Sequence, residues 1–253
     1  MMLTMTLISF TVASLLAITA VRCAPSNLPS YFKVCRRSDP NLEKCFKSSA
    51  DELRPLLVKG IPELSIPSCE PLLIPEVVID QGTGAVSLKS VYKDIKVYGP
   101  TQFVIKQVVV DFDKDRMKIK IFLPHLRVEC KYVIDGRILM MPISGNGLSN
   151  ANYSNIDATA IVRAERVKKD GDIYYNIKDF FVDFTIGHAS IHLDDLFNGD
   201  EDLGAAMNSF LNENWKQVAN EVKPVLEDNL AIIFKKFANK IFHKYPIKVL
   251  LPP

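Results

Sequence analysis

Four polar residues at alternate positions have the best spacing for metal chemistry in this chain of 253 residues. They are His188, Ser190, His192 and Asp194. Alternate positions of a strand share one face, where imidazole and carboxylate groups could converge on a zinc ion. The apolar residues between them are equally typical of a strand with one solvent face and one buried face. We favour the solvent face, and we expect no metal and no other cofactor.

The sequence lacks the motifs of the common catalytic classes. It contains no GxSxG nucleophile elbow, no HExxH zinc motif, no phosphate-binding P-loop and no GxGxxG after a strand. The acidic residues lie mostly near turns or lysines, and no carboxylate pair stands out. The net charge of +2 provides no basic field for nucleic acid. We therefore predict a protein that is not an enzyme and does not bind nucleic acid.

The first 23 residues have the pattern of a secretory signal peptide. Residues 1–20 carry no charge and contain a long apolar core, and we expect cleavage after Cys23. The alternative is an uncleaved anchor, but the apolar run is short for a membrane span. We therefore predict a secreted protein without stable membrane insertion, with residues 24–253 as a single domain. Asn152 begins the only N-x-S/T sequon and is the candidate glycosylation site.

Cysteine content agrees with an oxidising compartment. Removal of Cys23 from the five cysteines leaves four, an even number that allows three pairings. The local pairing, Cys35 with Cys45 and Cys69 with Cys130, needs the least chain closure. The loop-entropy model gives these two bridges about 3 and about 4 kcal/mol of stabilisation.

One long stretch of helical period dominates the C-terminal part of the chain. Between Asp200 and His243, apolar residues recur at steps of three and four, which predicts a helix about 60 Å long at 1.5 Å per residue. Pro224 lies inside this stretch and predicts a bend in one continuous helix. Residues 231–242 are apolar over most of the helix circumference, which predicts dense wrapping at that end.

Strand patterns fill the middle of the chain, from Glu76 to Leu193. The apolar period there is two, and short turn signals between the runs predict an antiparallel meander. The apolar phase changes near Pro124 and again between Ile177 and Phe180, which predicts bulges or strands whose halves are buried on opposite faces. We predict an α+β fold in which a strongly curved antiparallel sheet wraps the long C-terminal helix.

Large apolar side chains on these elements are candidate walls of a ligand tunnel. They are Met207, Phe210, Leu211, Trp215, Val218, Val222, Val225 and Leu226 on the helix, and Phe103, Phe122, Tyr132, Tyr175 and Phe184 on the strands. The same residues could instead close-pack as a filled core, and sequence does not distinguish the two. An apolar pocket needs a few polar groups, which the hydroxyls of Tyr132, Tyr153, Tyr174 or Tyr175 could supply.

Several short motifs follow one another in a specific order and spacing. They are Lys59-Gly60-Ile61-Pro62-Glu63-Leu64 after Cys35 and Cys45, then Tyr132-x-x-Asp135-Gly136-x-Ile138-Leu139 with Pro142-Ile143-x-Gly145-x-Gly147, and finally Leu196-Phe197-Asn198-Gly199-Asp200 before Asn208-x-Phe210-Leu211-Asn212-Glu213-Asn214-Trp215. In this order they resemble the insect takeout and juvenile-hormone-binding-protein family. The resemblance covers essentially the whole mature chain.

This resemblance implies a fold and a class of ligand. The fold is a long helix wrapped by a curved antiparallel sheet, similar to one half of the bactericidal/permeability-increasing-like lipid-binding proteins, a TULIP-like super-roll. Family members bind small apolar ligands in a tunnel between helix and sheet. The resemblance makes Cys35–Cys45 the N-terminal disulfide of the family, whereas Cys69 and Cys130 depart from the takeout pattern.

Together these observations predict a secreted, monomeric carrier. Its partner would be a small hydrophobic ligand, either a juvenile hormone-like terpenoid or a fatty acid or other lipid. The alternative is a secreted interaction module with a filled core that acts through its outer surface.

Overall fold

In the computed structural model, which describes residues 28–82 and 85–253, six strands form one antiparallel sheet. The strands are β1 (Leu72–Gln81), β2 (Val86–Tyr98), β3 (Val104–Asp111), β4 (Arg116–Ile138), β5 (Met141–Lys169) and β6 (Asp172–Leu193). The helices are α1 (Leu42–Lys59), α2 (Glu201–Glu213), α3 (Trp215–Phe242) and α4 (Ile247–Leu250). The predicted signal peptide, residues 1–23, lies outside the described residues.

The long strands β4 and β5 form the centre of the sheet. The strand order is β1-β2-β4-β5-β6, and β3 pairs separately with β4. Residues 116–122 of β4 pair with β3, and residues 127–138 pair with β2. The sheet therefore has two halves that share β4, β5 and β6, and the predicted antiparallel sheet and α+β class are confirmed.

A β-bulge on β6 causes one of the predicted changes of apolar phase. The register with β5 shifts by one residue between Ile177 and Asp179, which leaves Lys178 without a cross-strand partner. Apolar residues therefore occupy odd positions up to Ile177 and even positions from Phe180 onward. This bulge confirms the phase change predicted from the sequence.

The other change of apolar phase occurs at one row of neighbouring residues on β4, β5 and β6. The register of the neighbouring pairs places Pro124 of β4, Asn155 of β5 and Gly187 of β6 side by side. Asn155 has a φ of 54°, and a Cβ on Gly187 would lie 2.7 Å from the Asn155 Cβ. On β5 the buried residues change from the odd position Ala151 to the even position Ile156 at this row. The row therefore separates the two halves of the sheet, and glycine is needed where the strands approach so closely.

The C-terminal helical stretch consists of two helices. The Asp200 carboxylate accepts a hydrogen bond of 3.0 Å from the Leu203 N–H and caps α2. The prediction of one helix bent at Pro224 is wrong, because the chain breaks at Asn214 (φ −106°, ψ 16°) and Pro224 lies within α3. The Asn214 side chain donates to the Phe210 carbonyl over 2.8 Å, so a local side-chain bond competes with the helical pattern there.

Asparagines of α2 and α3 cover the free edge of β6. Asn208 donates to the Leu193 carbonyl over 3.0 Å and accepts from the Leu193 N–H over 2.9 Å, and Asn212 does the same for Ile191 over 2.8 and 2.9 Å. Asn239 joins Ile177 over 2.8 and 3.4 Å. A helix advances about 6.0 Å over four residues and a strand about 6.8 Å over two residues. The spacing of Asn208 and Asn212 along α2 therefore nearly matches the spacing of Leu193 and Ile191 along β6. We call these three residues the asparagine clamp.

Apolar packing is densest around α2. Met207 and Leu211 are 3% and 4% exposed, and they join a cluster with β2, β4 and β5. None of the 28 residues of α3, all of which the structure describes, is buried. The prediction of dense wrapping at the C-terminal end is therefore wrong, since Ile232 and Phe234 are 55% and 38% exposed.

One of the two expected disulfides is formed. Cys35 and Cys45 are bridged, whereas Cys69 and Cys130 carry free thiols, so the pairing Cys69–Cys130 is wrong. The backbone of Cys69 pairs with Leu72, the first residue of β1, in an isolated β-bridge. Cys130 lies on β4, and β2 lies between β1 and β4. Alternate strands lie about 9.6 Å apart, beyond the ~7 Å that a disulfide can join.

Candidate functional site

The inner face of the sheet meets α3 along an incompletely covered apolar groove. Four α3 residues pack against the apolar cluster around Met207 and Leu211, which we call the first apolar cluster, and remain only partly buried. They are Val218, Val222, Val225 and Leu226. Between the bulge and Gly187, the β6 residues that face α3 have even numbers, since the Phe180 ring stacks on Phe234 of α3 with centroids 6.1 Å apart. Apolar surface that stays partly exposed is surface that a ligand could cover. We call the boundary between these helix residues and the sheet the inner groove.

Five polar side chains interrupt the apolar inner face of the sheet. They are Ser90 and Tyr92 on β2, Cys130 on β4, and Ser149 and Tyr153 on β5. Each occupies the same strand parity as the buried apolar residues of its strand half, such as Leu88, Ile134 and Ala151, so all five lie on the inner face. Cys130 stands directly opposite Ser149. We call these residues the inner polar group.

Ser90 and Ser149 of the inner polar group are buried, and its other three members are partly buried. Burial raises the pKa of Tyr153 well above its ordinary value, and the neighbouring Tyr92 and Cys130 raise it further. Burial likewise raises the pKa of Tyr92 and of the Cys130 thiol, while Ser149 hydrogen-bonds that thiol and opposes the rise. These groups therefore stay protonated at neutral pH and can donate hydrogen bonds.

Ser90 is the unusual member of this group. Its side chain is fully buried, and its Oγ has no hydrogen-bond partner of normal geometry. Ser90 lies close enough to the Tyr92 hydroxyl to lower the pKa of Tyr92 against the larger effect of burial. The contact between Ser90 and Tyr92 is therefore poorly aligned, and a poorly aligned contact offsets little of the water that a buried hydroxyl loses.

The structure places the predicted helix residues on two different parts of the molecule. Met207 and Leu211 fill the first cluster, with Phe210 partly buried beside them. The four residues Val218, Val222, Val225 and Leu226 form the helix side of the inner groove. Trp215 lies at its start, edge-on to His188 with ring centroids 5.7 Å apart.

Among the predicted strand residues, Phe184 and Tyr132 lie on the inner face. Phe184 shares its face with Phe180, and its N–H donates to Glu227 of α3 over 3.3 Å. Tyr132 is 1% exposed, and its hydroxyl donates to the Asp194 carbonyl over 2.5 Å. Because that hydroxyl already has a partner, Tyr132 holds the connector to α2 instead of offering a hydroxyl to a ligand.

Phe103 and Phe122 lie away from the inner groove, and Tyr175 is 6% exposed and packs at the C-terminal end of α3. Phe103 packs beneath the Arg54 guanidinium beside α1, 4.5 Å from ring centroid to Cζ. Phe122 has the opposite parity from Ile121, and its ring centroid lies 5.0 Å from the Lys106 ammonium, which places it on the outer face. Tyr175 donates its hydroxyl to Asp115 over 2.9 Å and packs edge-on to a helix residue. Simple apolarity did not reveal which face each ring occupies.

The candidate metal ligands at the end of β6 lie at the surface: His188, His192 and Asp194 are exposed, and Ser190 is partly exposed. His192 Nε2 lies 3.1 Å from Asp194 Oδ1. Over residues 28–82 and 85–253, no three His, Cys, Asp or Glu side chains are arranged to hold a metal ion. Within the same ranges, no helix is long and apolar enough to cross a membrane.

The candidate glycosylation site lies in a strand. Asn152 is half-buried in β5, paired with Arg127 and Ser190. It lines an open polar cleft of about 510 Å³ beside Asn212 and His192. This cleft is separate from the inner groove.

Sequence reasoning missed the asparagine clamp and most of the inner polar group. Asn208 and Asn212 were visible as two poor helix formers spaced by four residues, which is a signal for a side-chain role. Ser90 and Ser149 carried no local signal, because a serine in a strand is usually exposed. Only Tyr153 was among the expected polar residues.

Comparison with known proteins agrees with this architecture. The crystal structure of Epiphyas postvittana Takeout 1 superposes with a TM-score of 0.75 at 29% identity, covering 87% of this chain and all (100%) of that one. Two of the matching relatives have similar coverage. The circadian clock-controlled protein daywake of Drosophila melanogaster is 27% identical over 231 residues, 88% of each chain. A candidate beta-carotene-binding protein of Schistocerca gregaria is 22% identical over 218 residues, 85% of this chain and 86% of that protein.

The family assignment rests on a match over nearly the whole chain. The family described as haemolymph juvenile hormone binding protein (JHBP) matches residues 12–252. The match includes all six strands, both long C-terminal helices and the inner groove between them. The chain therefore belongs to the haemolymph juvenile hormone binding protein family.

Proposed function

We propose that this protein is a secreted, non-enzymatic carrier that holds a small hydrophobic ligand in the inner groove. The observation that carries the proposal is the partly exposed apolar wall of Val218, Val222, Val225 and Leu226 facing an apolar sheet. A folded protein gains free energy by covering such a surface, and a ligand can provide that cover. Family membership and the name of the Schistocerca gregaria relative support a lipophilic ligand.

Burial supplies the affinity of such a carrier. A terpenoid or fatty-acyl chain that hides about 300 Å² of apolar surface gains roughly 7 kcal/mol at ~25 cal/mol per Å². Lost translational and rotational freedom offsets part of this gain, so burial of this area alone predicts binding no tighter than roughly 10 μM. The ligand would be a juvenile hormone-like terpenoid, a fatty acid or another lipid.

A larger side chain in the wall of the groove tests whether ligands bind there. Val218→Trp adds an indole to the groove wall, whereas Gln217→Trp places the same group at the neighbouring exposed position. We expect both variants to be secreted and folded, and only Val218→Trp to lose uptake of the apolar fluorescent probe phenylnaphthylamine by at least about tenfold, since the indole fills the volume that a ligand needs.

The outcome separates the carrier from its alternative. Equal probe uptake by the folded Val218→Trp variant would place binding outside the groove. No uptake by the wild-type protein would favour a secreted interaction module that acts through its outer surface. Secretion itself is tested by N-terminal sequencing of protein from the medium of expressing cells, where we expect a start at residue 24.

A further inference from the structure

The outer face of the sheet, in the half that contains β3, combines unpaired cations with exposed apolar side chains. We propose that this surface docks reversibly on an anionic lipid surface. We call it the outer basic face, and its residues are Val109 on β3, Arg116, Lys118 and Lys120 on β4, Ile161 on β5 and Phe181 on β6. Docking uses the outside of the sheet, so this inference goes beyond the carrier function and does not depend on the inner groove.

One row of residues across four strands forms the centre of the outer basic face. The Phe180 ring stacks on α3, so the next side chain, Phe181, points to the outside of the sheet. Phe181 pairs with Ile161, Ile161 pairs with Lys118, and Lys118 pairs with Val109. Since directly paired residues lie on the same face, all four side chains are on the outside.

Three cations form a column along β4 that crosses this row. Arg116, Lys118 and Lys120 occupy alternate positions about 6.8 Å apart on one face. In the part of the chain that the structure describes, none of the three forms an ion pair with a carboxylate. The cross-strand neighbours of Lys120 are the uncharged Gln107 and Thr159. A column of unpaired like charges attracts an anionic partner.

Most acids on the same side of these four strands already have a cation. The pairs are Asp111 with Lys114 over 3.7 Å, Asp179 with Arg163 over 3.6 Å and Asp183 with Lys223 over 2.7 Å. Asp157 and Glu165 form no ion pair, but the register places each of them one outer position beyond an end of the column. The positive charge of the column is therefore available to an outside partner.

Exposed apolar side chains stand on both sides of the column. Val109 is 48% exposed and Phe181 is 57% exposed, with the partly exposed Ile161 beside Phe181. The Lys106 ammonium also lies on this side, 5.0 Å from the ring centroid of Phe122. Exposed apolar surface of this kind marks a site for a protein or a membrane.

The combination of charge and apolar surface favours a lipid partner. A polyanionic sugar or nucleic acid would contact the cations and leave Val109 and Phe181 in water. At a lipid surface, phosphate and carboxylate head groups neutralise the cations while the acyl boundary covers the apolar groups. Lysine suits this position because its stem packs on apolar groups while its ammonium stays at the head groups.

Vesicle sedimentation of the full secreted chain tests the proposal. The vesicles contain phosphatidylcholine and phosphatidylserine in equal parts, and vesicles of phosphatidylcholine alone are the neutral comparison. We expect binding to the mixed vesicles, weaker binding to the neutral ones, and loss of the difference in about 1 M NaCl, where charges act over only ~3 Å.

A double lysine variant tests the cations. Each cation near an anionic membrane contributes roughly fivefold in affinity, so Lys118→Gln/Lys120→Gln should bind the mixed vesicles about 30-fold more weakly. Lys93→Gln/Lys131→Gln is the control, since it removes the same charge from the other half of the outer face, where Lys93 pairs with Glu76 over 3.5 Å and Lys131 with Asp94 over 2.8 Å. We expect the control to change binding by less than about threefold, because screening limits the influence of distant charges.

A substitution at Phe181 tests the apolar part of the surface. Phe181→Ser should weaken binding to the mixed vesicles several-fold, and Val133→Ser should leave it unchanged. Val133 is 51% exposed on the outer face of the other half and is therefore a matched control. Circular dichroism confirms that each variant is folded, and uptake of phenylnaphthylamine should stay at the wild-type level in all four.

The results separate this proposal from its alternatives and from the carrier function. Absence of wild-type binding, equal binding to neutral and mixed vesicles, or equal losses in the lysine variant and its control would overturn it. Retention on heparin that needs the two lysines, with vesicle binding unaffected by Phe181→Ser, would instead assign the surface to a polyanion. A dimer in sedimentation velocity that Phe181→Ser dissociates would assign it to a second copy of the chain. Val218→Trp should bind vesicles as the wild type does, so docking and ligand uptake succeed or fail separately.

Discussion

The asparagine clamp should make a large contribution to stability through a small number of atoms. Asn208 is 9% exposed and bonds both the N–H and the C=O of Leu193 on the free edge of β6. Asn208→Leu keeps a similar side-chain volume and leaves both backbone groups without a partner. Since each unsatisfied buried group costs about 1–3 kcal/mol, we expect a loss of about 2–6 kcal/mol.

Helix propensity and a control variant sharpen this expectation. Leucine is a better helix former than asparagine, which returns a few tenths of a kcal/mol and lowers the expected net loss slightly. Asn229→Leu is the matched control in α3, because Asn229 reaches only the Val78 carbonyl of β1, over 3.4 Å, besides its own helix. We expect this control to stay within about 1 kcal/mol of the wild type.

Thermal and urea denaturation followed by circular dichroism measure the difference. For a chain of this size, each kcal/mol lowers the midpoint by roughly 2–4 °C, so Asn208→Leu should melt about 4–24 °C lower. Hydrogen exchange should locate the damage at the Leu193 amide and its neighbours. A loss below about 1 kcal/mol, or a larger loss in Asn229→Leu, would refute the idea that these bonds hold the helix on the strand edge.

Three further measurements address separate features. Burial raises the pKa of Tyr132 from 10.0 to about 12, so its stabilisation is complete below pH 10 and is lost as the pH rises towards 12. Tyr132→Phe should reduce this alkaline loss in a pH series of melting curves, and an unchanged series would contradict the assignment. Reduction of Cys35–Cys45 should lower the unfolding free energy by about 3 kcal/mol, and Cys69→Ser should leave the response to reductant unchanged. Protein secreted from insect cells should lose mass on N-glycosidase treatment, and Asn152→Gln should abolish that loss if the sequon is used.

Periodicity was sufficient to predict the main layers of the fold. The period of two between Glu76 and Leu193 predicted the antiparallel sheet, and the changes of phase near Pro124 and after Ile177 predicted its irregularities. These signals are reliable because a sheet with one buried face must keep its apolar residues on that face. The family motifs then indicated how the sheet and the C-terminal helices fit together.

Predictions from local sequence were wrong at two features that depend on contacts made in the folded protein. Pro224 is a strong helix-breaking signal, yet the break occurs at Asn214, whose side chain bonds the Phe210 carbonyl. The separation of β1 from β4 by β2 excludes the Cys69–Cys130 pairing, and strand order is not a local property of the sequence. Both features depend on tertiary context.

The candidate site was predictable only in part. Helical period identified Val218, Val222 and Leu226 as one wall. Phe122 was expected in the tunnel wall and lies beside Lys106 on the outer face, because an aromatic residue of either parity satisfies a simple apolar pattern. The burial of Ser90 was not predictable, because a serine in a strand is usually exposed and burial depends on the fold.

Native mass spectrometry of the protein secreted by expressing cells tests the carrier function most directly. We expect a ligand-bound species that is heavier than the polypeptide and that organic extraction converts to the ligand-free mass. Gln217→Trp should retain this species, and Val218→Trp should lose it. A folded wild-type protein that carries no added mass, and gains none after incubation with a juvenile hormone-like terpenoid, a fatty acid or a fatty-acid ester, would contradict the account.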